Sequence, residues 1–187
     1  MFYNCSFQLT RKDLEEVEIL LGFQLPQELK NHYLQYNGGL PNKPCFFEED
    51  SGLETRVHVF LPIKFDNNIG YTLEKGYLDF KGRDIIPKKY LPFANDAGRN
   101  IFCIDLDSKQ VVLIYLDLGE VTNRCIEFLA NSFTEFINDL EECLDDEIED
   151  DSYKKIDFKN PKHMTTNFPN LLNKQDCGGG QKNDDVH

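Results

Sequence analysis

Histidine and cysteine are the side chains best suited to chemistry at neutral pH, and here neither gathers into a working set. His32, His58, His163 and His187 are scattered, with no two at a spacing that would aim both imidazoles at one metal ion. Cys5, Cys45, Cys103, Cys125, Cys143 and Cys177 occur singly, with no Cys-x-x-Cys pair for zinc or dithiol exchange. Cys103 and Cys143 fall in segments that read as core, so reduced thiols in a cytoplasm are the simplest account of the six. No Walker motif, Gly-x-Gly-x-x-Gly run or zinc motif is present. Catalysis needs a nucleophile with its base, a metal cluster or paired carboxylates in a cleft. The chain shows none of these, so no enzymatic activity, metal or cofactor is expected.

The polar residues that remain are better suited to recognition. Residues 141–151 hold eight acids and no base, more than half of the net charge of −13, and Glu48-Glu49-Asp50 form a second acidic group. A balance of this kind repels nucleic-acid backbones and anionic membranes and favours a basic protein partner. If the run is helical, Glu141 faces Asp145 and Glu142 faces Asp146 as like charges four residues apart. Each pair costs roughly 0.2–0.5 kcal/mol near the negative end of the helix dipole. Helix stability alone does not select that arrangement, and both a solvated helix end and a partner-facing surface remain open. Asp96 and Arg99 form a further cluster, read either as a device that fixes a turn through backbone amides or as a direct ligand contact.

These residues need a frame, and the most informative stretch is Leu91–Asp105. Pro92 lacks a backbone donor and belongs at an edge or irregular position. Asn95, Asp96 and Gly98 supply a tight turn, in which Gly98 is expected to adopt a conformation closed to other residues. Ile101, Phe102, Cys103 and Ile104 then run without polar alternation, as a strand covered on both faces does. Val111–Leu116 reads as a second such strand, paired antiparallel with the first across Asp107–Gln110, and Cys125–Phe128 as an outer one. Cys45-Phe46-Phe47 reads as a short strand, and Arg56–Lys64 as a half-buried strand with Val57, Val59 and Leu61 opposed to His58 and Phe60.

Helices are marked by their ends. Thr10 with Asp13 opens one that closes at Gly22, and Pro26 opens a second that Asn37-Gly38-Gly39 stops. Asp66–Phe80 gives a mixed signal, because Gly70 and Gly76 weaken a helix there. Ser132 with Glu135 forms a capping box for a helix whose apolar residues recur from Phe133 to Ile148. The expected fold is α+β, a central twisted antiparallel sheet with N-terminal helices and a C-terminal amphipathic helix. One domain over residues 1–150 is expected, then a polar tail over 151–187 with too little apolar surface to offset the entropy of ordering it.

The run Leu91-Pro92-Phe93-Ala94-Asn95-Asp96-Ala97-Gly98-Arg99-Asn100, followed by Phe102-Cys103-Ile104-Asp105, resembles the signature of the SUKH superfamily. Its best-known members are bacterial immunity proteins and a fungal cell-wall-synthesis regulator. Leu25-Pro26 with Leu29, Tyr33 and Asn37-Gly38-Gly39, then Phe60-Leu61-Pro62-Ile63, then Ala130-Asn131-Ser132-Phe133 with Glu135-Phe136, fit it in order. The departure is Arg99, where many relatives carry a second glycine. The resemblance implies an immunity protein that binds and neutralises a cognate toxin, with a non-catalytic regulatory or scaffolding module as the alternative. Pro92, Asn95, Asp96, Gly98, Asn100 and Phe102 are then its structural signature. Partner contacts are expected at Glu48, Glu49, Asp50, Asp96, Arg99, Glu141, Glu142, Asp145 and Asp146. No apolar run reaches membrane-spanning length and no signal peptide is apparent, so a cytoplasmic location is expected.

Overall fold

The computed structural model describes residues 1–48, 52–66, 70–116 and 121–143. By its internal contacts the chain divides into Met1–Asp145 and Asp146–His187, and all described residues belong to the first unit. The expected tail at 151–187 lies outside the described residues.

The fold is α+β. In chain order the elements are β1 (Phe2–Tyr3), α1 (Arg11–Leu21), α2 (Gln27–Tyr33), β2 (Leu40–Pro41), β3 (Cys45–Glu48), β4 (Leu53–Arg56) and β5 (Val59–Phe60). There follow α3 (Leu73–Gly82), β6 (Tyr90–Asn95), β7 (Ile101–Asp105), β8 (Val111–Ile114), β9 (Ile126–Ala130) and α4 (Phe133–Asp139). Strands β5 to β9 form one antiparallel sheet in chain order, while β1–β2 and β3–β4 are separate two-stranded ribbons. β7 is the middle strand of the five, as its unbroken apolar run requires, and pairs with β8 from Ile101↔Ile114 to Ile104↔Val111. Leu91–Ala94, at the head of the informative stretch, is the body of β6. Pro92 is accommodated there because the register with β7 shifts between Pro92 and Ala94, a bulge that spares the missing donor.

The N-terminal helices form for the reasons their caps suggest. Thr10 accepts the Asp13 N–H through its hydroxyl while the Asp13 carboxylate accepts the Thr10 N–H, and Gly22 closes α1 at φ 81°. Leu14, Val17 and Leu21 face the core. α3 forms despite Gly76, because the absent side chain makes room for the ring of Tyr71; a Cβ at Gly76 would lie 3.1 Å from Tyr71 Cε1. That glycine marks close packing rather than a break. The stretch Arg56–Lys64 is less regular than its alternation implies, since Arg56 ends β4 and only Val59–Phe60 of the rest is strand. Phe60 exchanges backbone bonds with Gly39 at 2.8 and 3.0 Å on one side and pairs with β6 on the other. It is therefore wholly buried, and Arg56 and His58 are the exposed residues of this stretch.

Two expectations are corrected at α4. The Ser132 hydroxyl accepts the Glu135 N–H as a cap should, but the helix ends at Asp139 instead of running to Ile148, of which 144–148 lies outside the described residues. Leu140 turns extended and buries itself, and Glu141 exchanges two backbone hydrogen bonds with Cys45, at 2.7 and 3.1 Å. Pairing with β3 gives these backbone groups partners, whereas a longer helix would carry the acids into the negative end of its dipole. Secondly, Cys143 is not a thiol but forms a disulfide with Cys45, Cα to Cα 5.2 Å. Cys5 and Cys103 are free thiols. The core that α4 closes is aromatic: the Phe136 ring lies 5.7 Å from those of Phe46, Phe93 and Phe102, joining α4 to β3, β6 and β7.

Candidate partner-binding surface

The turn between β6 and β7 is built by Asp96. Its carboxylate accepts the Asn100 N–H at one oxygen and the Asn100 side-chain amide at the other, both at 2.8 Å, while the Asp96 N–H donates to the Asn100 carbonyl at 3.0 Å. Asn100 in turn accepts the Leu116 N–H at 3.1 Å, which ties the turn to the end of β8. Asp96 therefore fixes geometry. The residue forced into the left-handed region is Arg99, at φ 72°, and not Gly98 as expected. Gly98 keeps an ordinary φ, and an added Cβ there would meet Asp96 Oδ1 at 3.3 Å, tight but not backbone strain. A non-glycine residue in this region costs on the order of 1 kcal/mol, so Arg99 holds its exposed side chain against a conformational penalty.

Beside this turn the surface is hollowed. One hollow of about 720 Å³ is lined by residues including Cys5, His58, Asn95 and Arg99. A neighbour of about 640 Å³ is lined by Tyr3, Glu54, Arg56, Gly98 and Tyr115 among others. Both are bounded by Leu40, His58, Asp96 and Ala97, so they form one groove. The sequence pointed to Asp96 and Arg99 alone. The remaining wall comes from the N-terminus, from Gly39–Leu40 and from β4, segments far apart in the chain and brought together by two glycines. Gly38 and Gly39 sit at φ 68° and 99°, where a Cβ would fall 2.7 Å from Pro62 N and 2.6 Å from Tyr3 O. The helix α2 ends at Tyr33, ahead of the pair, so these glycines are not the helix stop the sequence suggested; what they permit is this close approach. Cys5 lines the groove, and burial pushes its thiol up, away from the thiolate form.

The acidic residues stand at a different margin. Glu141 and Glu142 are exposed, and the Cys45–Glu141 pairing sets them beside the start of β3, whose other end carries Glu48. They are not helical, so the like-charge pairing four residues apart does not arise for them as a helix property. Glu49, Asp50, Asp145 and Asp146 lie outside the described residues. The crowding of negative charge is felt by Asp139, whose carboxyl is raised by burial first and then by Glu135 and Glu141.

Elsewhere, charged groups serve the frame. Lys64 bridges the Asp13 and Glu16 carboxylates at 2.5 and 2.6 Å and holds Asp13 well below the usual carboxylate range, with Thr10 adding two hydrogen bonds. Buried Glu74 accepts the Lys64 N–H. His32 is enclosed by the rings of Phe2, Tyr33, Tyr36, Phe60 and Phe133, and burial lowers it to about 4, with the N-terminal charge adding to the shift. It is a half-buried side chain whose surroundings disfavour its charged form. His163 and His187 lie outside the described residues. Among those residues no group of His, Cys, Asp or Glu is placed to hold a metal, and no helix is long and apolar enough to cross a membrane.

A helix-flanked antiparallel sheet with a groove at its β6–β7 turn and an acidic margin defines an α+β domain whose distinctive features lie on its surface. The chain belongs to the SMI1/KNR4 family (SUKH-1), whose model matches residues 8–139. It is also similar to the SPbeta prophage-derived uncharacterized protein YokK of Bacillus subtilis (strain 168), with 28% identity over 167 residues, covering 80% of this chain and 84% of that protein.

Proposed function

We propose that this protein is an immunity factor that binds a cognate toxin of a bacterial competition system and blocks it. Membership of a family that includes immunity proteins supports the class of activity. The prophage origin of the Bacillus relative fits a gene carried for conflict between cells. The observation that carries the mechanism is the acidic margin, where Glu141 and Glu142 are held beside β3, the strand that ends in Glu48, in a chain of net charge −13. The partner is a basic protein, with a nuclease the best fit because nuclease surfaces are shaped for phosphate. Carboxylates at such a margin steer the encounter and raise the association rate more than the final affinity, and screening over about 10 Å at 0.1 M salt weakens the effect.

The test is growth rescue on co-expression with the toxin domain encoded next to the gene, followed by stopped-flow association of the purified pair. Replacing Glu48, Glu141 and Glu142 by glutamine is expected to slow association at least about tenfold at low salt with the fold intact. Equal rates for parent and triple variant at low ionic strength would remove the acidic margin from the mechanism. Absence of rescue would remove the immunity reading.

A further inference from the structure

The groove beside the β6–β7 turn has the parts of a strand-binding site. One wall is β4, which among the described residues pairs with β3 alone. Val57 donates its N–H to Pro44 at 2.8 Å across the β3 side, and backbone groups of a strand alternate in direction. The N–H and C=O of Arg56 and Glu54 therefore point away from β3, towards the hollow that these two residues line. Such a free edge is a template for adding a strand. Across the groove stands the turn that carries Arg99.

Charge selects the occupant. Arg56 lines one hollow and Arg99 the other, both are exposed, and neither makes an ion pair among the described residues. Asp96 has both oxygens committed to Asn100, which leaves Glu54 as the carboxylate of the groove free to oppose them. In a chain with a large acidic excess, the lining is balanced in formal charge, two arginines against Glu54 and Asp96, and the two guanidiniums stand without an ion-pair partner among the described residues. Asn95 also lines the groove, and its side-chain oxygen is buried without a hydrogen-bond partner among the described residues. The left-handed backbone of Arg99 adds a reason to retain a guanidinium there.

We infer that the groove binds an extended peptide segment of the protein partner, added edge-on to β4, with carboxylate side chains that meet Arg56 in one hollow and Arg99 in the other. This rests on reading the chain as a protein-binding domain. It adds a second contact to the acidic margin, of opposite sign, so the two together select a basic protein that presents an acidic strand.

The probe is an acetylated, amidated hexapeptide, Thr-Val-Glu-Val-Glu-Thr, titrated into the full-length isotope-labelled protein and compared with the same peptide carrying glutamine for glutamate. The expected result is movement of the amide resonances of Glu54, Arg56 and Val57 and of the Asn95–Asn100 turn. Binding is expected to be about tenfold weaker for Arg56→Gln or Arg99→Gln, the loss of one charge-assisted pair, and about a hundredfold weaker for the glutamine peptide, which loses both. No binding, shifts confined to other surfaces, or equal binding of both peptides would overturn the inference. If the peptide fails while toxin rescue holds and depends on Glu48, Glu141 and Glu142, the groove inference alone is lost. If the peptide binds but no toxin is neutralised, the immunity reading alone is lost.

Discussion

Breaking the Cys45–Cys143 disulfide should destabilise the domain by an amount set by the loop it closes. The two residues are 98 positions apart, so the bond closes a long loop and restricts the unfolded chain. Chain-entropy arguments give roughly 4.7 kcal/mol as a ceiling for a loop of about 100 residues, and measured disulfides typically contribute about 2–4 kcal/mol. The reduced folded state loses little enthalpy, because Leu140 stays buried and Glu141 remains hydrogen-bonded to Cys45. About 3 kcal/mol is therefore expected, and for a domain of this size that corresponds to a fall of roughly 6–12 °C in Tm. The assay is a circular dichroism melt of the parent and of Cys143→Ser, each with and without a phosphine reductant. The parent should lose this increment on reduction, and the variant should melt low in both conditions. Thiol titration in denaturant should find at most four free thiols before reduction, against the six cysteines of the sequence. Six thiols in the unreduced protein, or a Tm indifferent to reductant, would refute the reasoning.

Phe136→Ala should cost about 3–5 kcal/mol in urea melts, since the ring is fully buried among Phe46, Phe93 and Phe102; a loss under about 1 kcal/mol would show that the cluster can close over the gap. Arg99→Gly should raise stability by about 1 kcal/mol by relieving the left-handed arginine, and a drop in the urea midpoint would contradict that. His32 gives a pH dependence. Burial lowers its folded value from the ordinary 6.5 to about 4, so the unfolded chain binds the proton more readily and stability, complete above pH 6.5, falls as pH drops towards 4. The loss between pH 7.5 and 4.5 should be about 2–3 kcal/mol and absent in His32→Gln. Asp13 and Asp105, both held below the ordinary 3.8, add their losses only in stronger acid. For Asp105, burial works against ionisation but is outweighed by the Lys89 ammonium and by the N–H groups of Asp107 and Ser108. Urea melts at the two pH values check the histidine contribution.

Much of the frame could be read from the sequence because its signals are local. Thr10 with Asp13, Ser132 with Glu135, and the apolar runs of β7 and β8 each state their structure within a few residues. What escaped depended on partners distant in the chain. The end of α4 is decided by β3, which offers Glu141 a backbone pairing, and nothing near residue 140 reveals it. The disulfide joins two cysteines 98 residues apart that no spacing rule connects. At the β6–β7 turn the composition was right but the strained position was misplaced by one residue, because a glycine beside an arginine suggests the wrong bearer of positive φ. The groove was visible only through Asp96 and Arg99. Asn4, Cys5, Arg56 and His58 join them through the glycine contact at Gly38–Gly39, which the sequence offered as a helix stop.

The groove separates the task of folding from the task of choosing a partner. Tyr3, Asn4, Glu54, Arg56, His58, Ala97 and Arg99 line it with exposed side chains, while the aromatic core lies elsewhere. Substitutions at exposed positions commonly shift stability by no more than about 0.5 kcal/mol, against a total of about 5–15 kcal/mol for a domain. Several of these residues can therefore change in succession without loss of the fold. A lineage confronting a changing set of adversaries could redraw this surface one substitution at a time on an unaltered scaffold, and Arg99, whose exchange for glycine relieves strain, is the position at which a change of partner meets the least resistance.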